Sequence, residues 1–190
     1  MRRTGIPNQS IILERGDALE QAVRDRAAKW DLGDVSLEKY DLALVNAVWI
    51  ARCAYSHTPL DVQVHIACYT FLATCIDDFA IPHAAIDGFM TRFYSNSPQL
   101  HPLLDRLVEN ILGMKDYFPA FATKLIIKST IDFVNMMAFE QEVEATKLQP
   151  TALSYVVMKR FYNGAGDAYF CFIFDKFNFP DVSSYIQALP

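Results

Sequence analysis

The sequence predicts an all-α fold, and three observations carry that reading. Apolar residues recur at helical spacing through most of the chain. No segment alternates in the way of a half-buried strand, and the single Asn-Gly dipeptide, Asn163-Gly164, lies between helical patterns rather than β-branched runs. Prolines stand at the starts of the patterned segments, where a missing N–H costs least. Together they describe a bundle of roughly seven helices with short connections.

Composition sets the limits. The chain has 190 residues, of which 52% are hydrophobic and 13% aromatic, enough for one domain with a real core, or part of one. The formal net charge is −5 and basic residues cluster nowhere beyond Arg2-Arg3, so no nucleic-acid partner is expected. Cys53, Cys68, Cys75 and Cys171 lie in apolar segments without metal-ligand spacing, and read as reduced core thiols of an intracellular, cytoplasmic protein. Residues Met1 to Gln9 are polar and lack a secretory pattern. No apolar run reaches the ~18 residues that span a membrane.

In chain order, residues 1–35 read as a lead-in followed by a surface helix, and 36–190 as part of a single helical domain. Leu13, Leu19, Val23 and Ala27 give the surface helix, over Glu14 to Lys29, its apolar edge, and Gly33 ends it. Ser36 is placed to cap a helix from Leu37 to Ala54. Thr58-Pro59-Leu60-Asp61 has the residue types of a helix start, and that helix should run to about Ala80, before Pro82. Further helices are expected over 83–94, 99–115, 119–146, 151–161 and 167–177, with a partial one over 181–189.

Two stretches are not explained by a core. The first is Asp77-Asp78, at the end of the apolar run from Val62 to Ile76. Unpaired carboxylates are costly to bury, so this pair should meet water, a cation or a metal. Thr70, Ala73 and Thr74 precede Asp77 by seven, four and three residues, and so share its helix face. Such small residues suit a cavity wall beneath a metal site; they also suit close helix packing with the acids at a solvated end. Oxygen ligands of this kind fit Mg²⁺ held together with a diphosphate.

The second stretch runs from Arg160 to Gly166. Arg160 follows the apolar positions Leu153, Val156 and Val157, and would need an anionic partner if buried. Gly164 and Gly166 should break the helix and free backbone carbonyls that can face a cavity. The alternative is an ordinary turn with Arg160 as a C-terminal helix charge. Other polar residues read more simply. His57, His65, His83 and His101 share no metal spacing and read as structural or surface residues. Glu140, Glu142 and Glu144 form an acidic helix face that reads as solvated, with Glu140 facing the cavity as the alternative. The aromatic run Tyr169, Phe170, Phe172, Phe174 and Phe177 reads as core.

Taken together, the two stretches resemble the class I terpene cyclases, most closely the fungal trichodiene synthase-like group. Asp77-Asp78 resembles the first metal motif of that group. Arg160-Phe161-Tyr162-Asn163-Gly164 resembles its diphosphate-sensor arginine, linker and effector glycine. The 83 residues from Asp77 to Arg160, the run from Gly164 to Phe174 and the terminal Tyr185 to Pro190 also look like this group. The resemblance begins near Leu37. It implies that Asp77 binds Mg²⁺ and that Asp78 pairs with a cation in a closed state. It further implies that Arg160 holds the substrate diphosphate, that Asn163 links it to Gly164, and that the Gly164 carbonyl helps trigger ionisation. The implied reaction is metal-assisted loss of diphosphate from farnesyl diphosphate, followed by cyclisation.

The chain departs from the group in two ways. The first metal motif often has another acid three or four residues after the first pair, where Ala80 and Ile81 stand. The second metal motif, Asn/Asp-x-x-x-Ser-x-x-x-Glu, and a later Arg-Tyr pair would lie beyond Pro190. The expectation is therefore a helical bundle incomplete at its C-terminus, with weak or absent cyclase activity in the 190-residue chain. The competing expectation is a non-catalytic helical protein that self-associates, for instance as a homodimer, or serves as an interaction module. A prenyl-chain elongating enzyme fits less well, since no second Asp-rich motif is present.

Overall fold

The computed structural model describes residues 17–33, 40–78, 81–163 and 165–188. Nine α-helices occur among them: α1 Ala18–Ala27, α2 Asp41–Ala54, α3 Leu60–Asp78, α4 His83–Asp87, α5 Phe89–Tyr94, α6 Pro102–Gly113, α7 Ala120–Val143, α8 Leu153–Asn163 and α9 Gly166–Cys171. No strand is present among the described residues. The all-α reading therefore holds.

The interior is organised around α3, which packs against α1, α2 and α6. It is apolar nearly all round, and 13 of its 19 residues are buried. Phe71 at its centre meets Trp30 in a stacked pair at 6.3 Å and Tyr40 edge-on at 6.0 Å. A large aromatic side chain shielded in this way contributes about 1.5–3 kcal/mol through burial. The surface helix α1 buries Leu19, Val23 and Ala27 as its spacing predicts. Its N-cap is Asp17, whose carboxylate accepts from the Glu20 N–H at 2.9 Å and also pairs with Arg52 of α2 at 2.5 Å.

On the far side of α3, His65 joins three elements. Its Nε2–H donates to the Asn110 carbonyl of α6 at 2.8 Å, leaving Nδ1 to accept from the Arg26 guanidinium of α1 at 3.3 Å. The Tyr117 ring lies 4.6 Å from the imidazole. Gly113 gives the ring room, since a Cβ there would stand 3.1 Å from the imidazole Cε1 and push the ring by a few tenths of an ångström. His65 is thus a structural residue, as its lack of metal spacing suggests. Burial is the main cause that lowers its pKa, to about 4, and the neighbouring Arg26 charge adds to it.

The second long helix, α7, packs against α4, α5, α6, α8 and α9. It joins α3 through a hydrogen bond between the Tyr69 and Thr130 hydroxyls at 3.0 Å. The aromatic run after α8 is largely core: Phe172 and Phe174 are buried, and Phe172 meets Tyr55, Tyr69, Phe118 and Tyr169. Phe177 is the exception and is exposed.

Several boundaries differ from the sequence expectation. The predicted 83–94 helix is two short ones that meet at Gly88. The expected 167–177 helix stops at Cys171. Beyond it the chain turns at Asp175, whose buried carboxylate accepts from the N–H groups of Phe177 and Asn178 and from the Asn178 amide. Such side-chain bonds offer the backbone an alternative to the helical ladder. The last partial helix is a pair of 3₁₀ turns, Val182–Ser184 and Ile186–Ala188, held down by Tyr185 stacked on Phe174 at 4.8 Å. The Ser36 cap and the end of the α3 pattern at Ala80 lie outside the described residues.

Candidate active site

Two cavities meet at Asp77. The smaller, about 150 Å³, is lined by Ala73, Thr74 and Asp77 of α3, Phe133 of α7, Asn163 of α8, and Ala165 and Tyr169. The larger is an open cleft of about 520 Å³ lined by Asp77, by Met137, Glu140, Gln141, Val143 and Glu144, and by Tyr155 and Lys159 of α8. The structure thus brings Asp77, Ala73, Thr74 and Asn163 to one place. Thr70 lies one turn deeper and is buried, and its hydroxyl accepts from the Tyr169 phenol at 3.3 Å. Asp78 is exposed at the end of α3.

The helix break expected after Asn163 is present. α8 ends at Asn163 and α9 starts at Gly166, with Ala165 between them at φ 45°, ψ 31°. An alanine in this left-handed region costs about 1 kcal/mol or more, and the surrounding packing must hold it there. Ala165 is buried, and its carbonyl accepts from the N–H groups of Ala168 and Tyr169. Gly164 lies outside the described residues.

Arg160 is placed differently from a buried sensor. It is exposed, it does not line the cleft, and no ion pair joins it to another described residue. The cation that does line the cleft is its neighbour Lys159, which the sequence reading passed over. The available signal was its position four residues before Asn163, which puts both on one face of α8.

Glu140 ties this face of α8 to α7. Its carboxylate accepts from the Asn163 amide and pairs with the Lys159 ammonium at 3.2 Å. The expectation that Glu140 can face the cavity is met. Partial burial is the largest cause that raises the Asp77 pKa above the usual carboxylate range; Asp78 and Glu140 raise it further, and Lys159 opposes them. Asp77 is therefore a carboxyl group in a site with surplus negative charge.

This donor set suits magnesium shared with a phosphorylated ligand. Mg²⁺ takes oxygen ligands, keeps several waters, and is commonly held by one or two carboxylates plus substrate phosphates. Among the described residues no group of three or more His, Cys, Asp or Glu side chains is arranged to hold a metal by itself. Asp77 and Asp78 are accessible oxygen donors at one helix end and fit that shared mode. The sites for the missing third acid are Ala80, outside the described residues, and Ile81, which is buried.

The all-helical bundle, with an acid-bearing helix end facing a broken helix across a cleft, is consistent with the terpene synthase helical fold. Comparison with known proteins makes the assignment specific. The family model described as trichodiene synthase (TRI5) matches residues 31–189. The chain is 34% identical to terpene synthase 29 of Postia placenta, over 76% of this chain and 43% of that protein. It is 31% identical to monoterpene synthase 25 of the same fungus, over 93% of this chain and 53% of that protein. It is 27% identical to an (E)-beta farnesene synthase of Metarhizium brunneum, over 98% and 58% respectively. The chain therefore belongs to the trichodiene synthase family of terpene synthases. It spans about half the length of the curated relatives it matches.

Proposed function

We propose that the protein carrying this chain ionises an isoprenoid diphosphate, farnesyl diphosphate in our reading, with Mg²⁺ as cofactor, and cyclises the resulting carbocation in the cytoplasm. The observation that carries the proposal is that Asp77 and Asn163, 86 residues apart in the sequence, line the same cavity. Asp77 and Asp78 would hold the metal, which supplies positive charge against the leaving diphosphate. Arg160 would bind the diphosphate from the exposed side of α8, and Asn163 would relate that contact to Gly164. Ala73 and Thr74 are small and leave room at the carboxylate, with Thr70 supporting them from below. Phe133 and Tyr169 give the cavity apolar walls that exclude water from a cation and can stabilise it through their ring faces.

The test is diphosphate release from farnesyl diphosphate with and without Mg²⁺, in the wild type and in Asp77→Ala. The expected result is a metal-dependent activity that falls on the order of 100-fold or more in the variant. Unchanged release in Asp77→Ala would overturn the proposal.

A second reading has its own observation. Helix α8 has no buried residue, and Leu153, Val157 and Phe161 are each about 70% exposed. A face of this kind suits a contact with another protein surface, a second copy included. Sedimentation of the 190-residue chain distinguishes the readings: concentration-dependent association supports this one, and a monomer that turns over farnesyl diphosphate sinks it.

A further inference from the structure

Three carboxylates, Asp77, Glu140 and Glu144, line the larger cleft, and the cation among its lining residues is Lys159. Such a surface repels a diphosphate until its charge is balanced. An ammonium there is a ready anion contact, but in the free protein it is engaged by Glu140 at 3.2 Å. The pair is partly open to water, with the Lys159 side chain 42% and the Glu140 side chain 26% accessible. A half-exposed ion pair of this kind is weak and exchanges partners easily. Lys159 carries its charge on a flexible four-carbon stem, so it can leave one anion for another without moving the helix. Glu140 retains a second partner in the Asn163 amide, so its carboxylate is not orphaned when the ammonium leaves.

We infer that Lys159 is a diphosphate-binding side chain of this site, and that Glu140 is a positioning residue that holds it in the free protein and yields it to the ligand. The inference rests on the diphosphate chemistry proposed above, and adds to it a cation that lines the cleft, where Arg160 does not. The exchange breaks one ion pair and forms another; no covalent bond changes.

The experiment is calorimetric titration of the protein carrying this chain with inorganic diphosphate in excess Mg²⁺, with far-ultraviolet circular dichroism confirming that each variant is folded. Lys159→Gln should weaken binding about tenfold, the loss of one charge-assisted contact. Glu140→Gln should tighten it about threefold, because the competing carboxylate is gone while the amide can still meet Asn163. Glu144→Gln is the control for the general field, since Glu144 lines the same cleft but does not pair with Lys159. It should tighten binding less than Glu140→Gln does. In a Lys159→Gln background, Glu140→Gln should have no more effect than Glu144→Gln. Binding by the wild type with no loss in Lys159→Gln overturns the inference and leaves the proposed function standing. So does equal tightening by Glu140→Gln and Glu144→Gln. No binding of magnesium diphosphate by the folded wild type overturns both.

Discussion

Helices α3 and α8 both carry large apolar side chains, α3 nearly all round and α8 mainly along one face, and they meet opposite fates. In α3, Phe71, Leu72 and Ile76 are wholly buried, enclosed by α1, α2 and α6. In α8, Leu153, Val156, Val157 and Phe161 lie open, since the helix packs chiefly on α7 and buries none of its residues. The contrast separates two contributions to a helix. Both segments form helices by local propensity, although α3 has the all-round apolar pattern of a buried helix and α8 an amphipathic one. Burial, which contributes most of the free energy, depends on neighbours that the segment's own sequence does not reveal. The candidate site sits where the two regimes meet, with Asp77 on the rigid helix and Lys159 and Asn163 on the loosely held one.

The largest expected effect tests that contrast directly. Phe71→Ala removes a fully buried ring and should cost about 3–5 kcal/mol. Phe161→Ala removes the same atoms from a side chain 70% exposed and should change stability by no more than about 0.5 kcal/mol. Equilibrium urea unfolding measures both. A loss above about 1 kcal/mol for Phe161→Ala would mean that the α8 face is covered in solution, and the contrast would fail.

Next in size is an acid effect confined to the rigid region. His65 is neutral in the fold, donating to Asn110 and accepting from Arg26. Protonation would place an N–H against the Arg26 guanidinium, while Asp61 and Asp116 lie close enough to soften the charge. The folded pKa, about 4, is below the unfolded value near 6.5. The unfolded chain therefore binds the extra proton between those values, and the stability it contributes is present above pH 6.5 and lost as pH falls toward 4. The loss should be on the order of 3 kcal/mol at most. His65→Gln should flatten unfolding free energy measured across this window. An equally steep profile in the variant would assign the acid sensitivity elsewhere.

These cases show what the residues disclosed and what they withheld. The helical spacing of Leu19, Val23 and Ala27 placed α1 and its buried edge correctly, and Asn163 followed by Gly164 and Gly166 anticipated the end of α8. Both depend on local chemistry. Asp175 did not disclose that the chain would turn there instead of continuing the expected helix to 177, because its bonds to Phe177 and Asn178 are a choice between two satisfactory backbone arrangements. Arg160 and Lys159 are adjacent, and only the orientation of α8 on α7 decides which one faces Asp77. That orientation goes with the Glu140 contacts to Lys159 and Asn163, made from the preceding helix α7.

The smallest expected effect concerns Asp77, the residue that joins the rigid helix to the open cleft. Its pKa is raised in the fold, so its ionised form is disfavoured there relative to the unfolded chain. For a carboxyl group this sign means that stability falls as pH rises from the unfolded pKa through the folded one, and that the cost persists at neutral pH. Asp77→Asn removes the charge and nearly keeps the shape. It should raise Tm slightly, by about 2 °C at pH 7, because the group is solvent-accessible and its interactions are screened. The same substitution should weaken magnesium diphosphate binding, since the amide is a poorer ligand than the carboxylate. A stability gain paired with a loss of binding would show that the open end of α3 keeps an unfavourable charge for its ligand. If Tm falls instead, Asp77 stabilises the fold as an ordinary helix-end residue, and the boundary between the two regimes lies elsewhere.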